Sequence, residues 1–111
     1  MKKDPRIFLE HIIESIEYIE ENIGDATEND FYDDVPMQDA AIRRLQVIGE
    51  AVKNLPYEYR EQHAEIEWRK ASGMRDVIVH EYFTIDLQLV WNVIKNELPR
   101  FKNKLEELLR Q

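Results

Sequence analysis

Apolar residues recur along this chain at alternating spacings of three and four, which is the signature of helices packed along one seam. The first stretch runs Leu9, Ile12, Ile16, Ile19 and Ile23, with Asp4 placed to cap it, Pro5 at its first helical position and Gly24 to stop it. A second runs Ala41, Leu45, Ile48, Val52 and Leu55 and stops before Pro56. The last runs Leu87, Trp91, Ile94, Leu98, Phe101, Leu105 and Leu108, with Asp86 as its candidate cap. Pro99 lies inside that last stretch, where it is expected to kink or break the helix.

A further helix is expected to start between Glu65 and Trp68 and to continue through Met74 to about His80. Val77, Ile78 and Val79 are consecutive, so this helix is apolar almost all round and belongs in the middle of a bundle. A strand there would have no partner strand elsewhere in the chain. Between the main helices, the acidic connector Thr27 to Pro36 has room for a short helix begun at Thr27. In the connector Pro56 to His63, Tyr57 and Tyr59 are expected to cover an edge of the core. The fold class is therefore all-α: an up-and-down bundle of four main helices with one or two short extra ones, formed by residues 1–111 as a single domain.

Composition changes this picture in two ways. The absence of cysteine removes disulfides, thiolate nucleophiles and thiolate metal sites together, and it suits a cytoplasmic protein. No apolar run approaches the roughly 20 residues of a membrane span, and the glutamate-rich N-terminal segment is unlike a signal peptide. The net charge of −8 is uneven, because residues 1–39 carry a net −9 and the remainder a net +1. Broad, non-specific attraction to nucleic acid is thus weak, while a local anionic site within the near-neutral part remains open.

Metal chemistry finds little purchase. The residues three before His11, His63 and His80 are Phe8, Arg60 and Val77, so the Glu-x-x-His pattern of metal-binding bundles is absent. His11 and Glu14 sit one turn apart, but a lone pair of this kind is most simply solvated. No metal and no cofactor are expected.

What remains is the group Arg75, Asp76, His80 and Tyr82. Asp76 and His80 are one helical turn apart and share a face. Arg75 and His80 are about 140° apart on a helix of about 100° per residue, too far to face one target without help from a loosened helix end or a second subunit. The residue types suit phosphate chemistry: a permanently charged guanidinium for phosphate oxygens, an imidazole titrating near about 6.5 to move protons, and a carboxylate to orient either. A buried ion network with no chemistry is an equally simple reading of the same four residues. Trp68 and Trp91 read as core, and His63 as structural or solvated.

Arg75 to Tyr82 spells R-x-x-x-x-H-x-Y, preceded by Gly73-Met74 and followed by Phe83-Thr84-Ile85-Asp86. Together with Arg43-Arg44-Leu45-Gln46-Val47-Ile48-Gly49-Glu50-Ala51 upstream and Trp91 downstream, it resembles the HepT-like branch of the HEPN superfamily over most of the chain. That resemblance implies a metal-independent RNase toxin of a toxin–antitoxin pair, dimerised so that both motifs line one cleft. Arg75 and His80 would be catalytic, with Asp76 the polar residue after the arginine. Asparagine is common in the family at the position of Asp76. The partner implied is a small nucleotidyltransferase antitoxin that silences the toxin by attaching AMP to Tyr82. Arg43, Arg44, Arg69 and Lys70 are candidate RNA-binding residues, able to make a local basic cleft in an acidic homodimer. The alternative is a non-catalytic helical module that binds the nucleotidyltransferase.

Overall fold

A computed structural model describes residues 4–73 and 86–111. Helix α1 (Pro5–Ile23) begins where Asp4 accepts a hydrogen bond from the Arg6 backbone N–H at 3.0 Å, and it ends at Gly24, whose φ of 52° suits glycine. Helix α2 (Glu28–Tyr32) is short and closed at its start by a reciprocal capping box between Thr27 and Asp30. Helix α3 (Val35–Asn54) is capped by Asp34, with Pro36 in its first turn. The connector expected up to Pro36 therefore ends two residues earlier, because the Asp34 carboxylate takes the Met37 N–H and starts the helix there.

After Leu55 and Pro56 the chain forms α4 (Tyr57–Gln62) where a plain connector was expected. A fifth helix, α5, is described over residues 68–73, so the fourth main helix of the expected bundle lies partly outside the described residues. Beyond residue 86 come α6 (Leu87–Asn92), a π-helical turn (Val93–Glu97) and α7 (Leu98–Arg110), which run on without a helical break. Pro99 is accommodated rather than disruptive. The turn before it widens so that the Leu98 N–H reaches the Val93 carbonyl five residues back, and the proline sits in the first turn of α7, where no N–H is needed.

Most positions read from the apolar spacing lie in the core, which Phe31, Ile66, Ala71 and Val90 also join, while Leu87 and Trp91 are only partly buried. Leu9, Ile12, Ile16, Ile19 and Ile23 of α1 face Ala41, Leu45, Ile48 and Val52 of α3, with Ile94, Leu98, Phe101, Leu105 and Leu108 of the C-terminal helices completing one cluster. Burying each large aliphatic side chain contributes roughly 1.5–3 kcal/mol before chain entropy is subtracted. Tyr57 departs from expectation: it is 66% exposed, while Tyr59 packs against the core as expected. Among the described residues every regular element is helical, and no helix is long and apolar enough to cross a membrane.

Candidate functional site

Arg75, Asp76, His80 and Tyr82 lie outside the described residues, so the geometry on either side of them carries the structural account. On the approach, α5 is fastened to the body of the protein. Trp68 is buried, donates its indole N–H to the His63 carbonyl at 3.0 Å and meets Phe101 of α7 edge-on, with ring centroids 6.1 Å apart. Ala71 is buried one turn later, and Lys70 binds Glu97 of the π-helical turn at 3.0 Å with Glu67 at 3.9 Å. His63, which ends α4, packs against the Tyr59 ring at a tilt, centroids 4.6 Å apart, and lies 3.8 Å from Glu65, in keeping with a structural residue.

On the far side, Asp86 caps α6 through a 3.1 Å hydrogen bond from the Leu89 N–H. Trp91 then packs on Phe31 of α2, centroid to centroid 5.4 Å, and Lys95 lies 5.0 Å above the same indole. Gln38 of α3 holds α2 in place by donating to the Phe31 and Tyr32 carbonyls. The Tyr32 hydroxyl donates to Glu28 at 2.9 Å. Its pKa is raised, first by burial, then by that hydrogen bond, and further by the charges of Glu28 and Asp86. The sequence around the motif thus fixes both flanks by ordinary packing: an aromatic and a small residue before it, a carboxylate cap and an aromatic after it.

The candidate RNA-binding residues divide into two places. Arg44 lies on α3 with its guanidinium carbon 4.4 Å above the Tyr18 ring of α1, and Arg43 beside it is exposed. Arg69 and Lys70 lie on α5 and border an open groove of about 680 Å³ between α4 and α5. That groove also takes in Tyr57, Arg60 and Glu61 of α4. Neither Tyr57 nor Arg60 was singled out from the sequence for binding. Their spacing of three on a short helix after Pro56 was the available signal, but an aromatic beside a proline reads equally well as core cover. Among the described residues no cluster of three metal-binding side chains is present, and His11 and Glu14 are both exposed.

Residues 12–108 match the family described as Ribonuclease HepT-like. The chain belongs to that family, and hence to a class of helical ribonucleases. It is 46% identical over 111 residues to a Methanocaldococcus jannaschii protein named "Gamma-glutamylcyclotransferase and putative RNase", matching over its full length but spanning only 50% of that relative. It is 42% identical over 108 residues to the "Probable ribonuclease HepT" of Thermococcus cleftensis, covering 97% of this chain and 98% of the relative. A "Putative RNase" of Caldanaerobacter subterraneus subsp. tengcongensis is 39% identical over 109 residues, with 98% and 97% covered. No solved structure matches the chain.

Proposed function

We propose that this protein is a metal-independent endoribonuclease toxin whose site is assembled from the Arg75–Tyr82 segments of two copies. The observation that carries the reading is the family match across residues 12–108, which spans the whole R-x-x-x-x-H-x-Y segment. His80 takes the proton of a ribose 2′-hydroxyl as that oxygen attacks phosphorus, and the 5′-oxygen leaves with a proton returned from imidazole or water. Arg75 offsets the charge that builds on the phosphoryl oxygens. Asp76 orients the pair. A second copy supplies what helical geometry denies to one, since about 140° separates Arg75 from His80 on a regular helix.

Tyr82, two residues beyond His80, is the point of control: a small nucleotidyltransferase antitoxin transfers AMP from ATP to its hydroxyl, the tyrosine oxygen displacing pyrophosphate from the α-phosphorus, and so places a bulky anion at the proposed site. The catalytic reading is tested with purified protein, EDTA and a labelled RNA, comparing wild type with His80→Ala and Arg75→Ala. Both variants are expected to lose at least about 100-fold in rate, the lower range for removing a proton shuttle or a charge-stabilising donor. Equal cleavage by all three proteins would falsify the assignment. The regulatory reading is tested by intact mass after co-expression with the nucleotidyltransferase. A gain matching whole AMP groups, absent in Tyr82→Phe, is expected.

A further inference from the structure

The α4–α5 groove holds an unusual combination. Tyr57 is 66% exposed and lines the groove, although an aromatic of this size normally buries much more of itself. Its hydroxyl pKa is raised, first by hydrogen bonding to Glu61 and then by the charge of that carboxylate. Arg60, three residues on, has a buried Nε with no hydrogen-bond partner, the only such side-chain nitrogen or oxygen among the described residues. Arg69 stands on the opposite wall.

The groove carries two carboxylates, Glu61 and Glu67, against three cations, Arg60, Arg69 and Lys70. Lys70 lies 3.9 Å from Glu67 and 3.0 Å from Glu97. Among the described residues neither Arg60 nor Arg69 forms an ion pair. An exposed aromatic ring in a groove that two arginines also line suits a nucleotide: the ring stacks a base and the terminal guanidinium nitrogens take the adjoining phosphate. Position favours the same occupant, because α5 forms one wall of the groove and its chain runs directly into Arg75.

We infer that the α4–α5 groove is a subsite for a single-stranded RNA nucleotide flanking the cleaved bond, with Tyr57 stacking its base and Arg60 and Arg69 binding its phosphate. This rests on the ribonuclease reading for the bond that is cut, but the subsite itself is a binding claim and is testable without cleavage.

The experiment uses the full chain and two probes: an unmodified RNA decamer for cleavage, and its 2′-O-methyl analogue, which lacks the attacking hydroxyl, for binding by fluorescence anisotropy. Tyr57→Ala is expected to weaken binding and raise KM by about 5- to 150-fold, the range for losing one base–aromatic stack, with kcat little changed. Tyr57→Phe keeps the ring and is expected to behave as wild type. Since Tyr57 is exposed, both variants should fold, and their thermal unfolding checks this. Arg60→Gln with Arg69→Gln should reduce the salt dependence of log K by about 1.4, two contacts at about 0.7 each. Wild-type cleavage with no difference between Tyr57→Ala and Tyr57→Phe would overturn the subsite and leave the ribonuclease reading standing. Tyr57-dependent binding without cleavage of the unmodified decamer would support the subsite and remove the ribonuclease reading. A Tyr57→Ala effect confined to oligomeric mass, with RNA binding intact, would mean that the groove seats protein and would also overturn it.

Discussion

At the scale of single residues, the most informative contact outside the candidate site is Lys102 of α7. It reaches across to the acidic face of α1, 2.9 Å from Glu20 and 3.8 Å from Glu17. Its pKa is raised above 10.5, chiefly by the hydrogen bond to Glu20, against an opposing contribution from burial. The raised folded-state value means that the stabilisation is fully present below 10.5 and is lost as pH rises through the folded value. Glu20 is 41% exposed, so screening keeps the pair near the usual surface range of about 0.2–1 kcal/mol. Lys102→Met is therefore expected to lower Tm by roughly 1–4 °C. The difference from wild type should be constant between neutral pH and about pH 9 and should shrink in the alkaline range. Thermal melts at stepped pH check this, and a difference that grows with pH would show that the ammonium charge is not the cause.

At the scale of elements, Pro99 makes the sharpest case. In a regular helix interior a proline loses a hydrogen bond, clashes with the carbonyl four residues back and costs about 3 kcal/mol. Here the π-helical turn Val93–Glu97 has already given up that register, and Pro99 falls in the first turn of α7. Pro99→Ala should consequently change unfolding free energy by less than about 1 kcal/mol, measured by urea titration. A gain near 3 kcal/mol would mean that the turn is strained by the proline and is not a relief of it. The same element marks the boundary of what the sequence discloses. Three-four spacing located the buried positions of α1, α3 and α7 because burial on a helix is a local, periodic property. The π turn depends on how the carbonyls before Pro99 re-pair, which no spacing encodes. Likewise α4 and the exposed Tyr57 depend on what α5 leaves uncovered, a tertiary matter. The residue types of the candidate site were legible as phosphate chemistry from Arg75 and His80, but the α4–α5 groove emerges only when those two helices are placed together.

At the scale of the whole molecule, electrostatics limits how RNA can be held. The chain carries 23 acidic residues against 15 lysines and arginines, so its long-range field repels a polyanion and affinity must come from a few well-placed contacts. Lys70 contributes little, since Glu97 holds it at 3.0 Å, and Arg44 is stacked on Tyr18 of α1. The contacts proposed for one strand are Arg60 and Arg69 of one groove and Arg75 from each of two copies. Four phosphate contacts on single-stranded RNA give a slope of log K against log salt near −3, at about 0.7 for each. Binding of the 2′-O-methyl decamer across a potassium chloride series is expected to fall between about −2 and −4. A slope near zero would mean that stacking alone holds the strand. One steeper than about −6 would require a broad basic surface. The N-terminal third, with its net −9, works against such a broad basic surface.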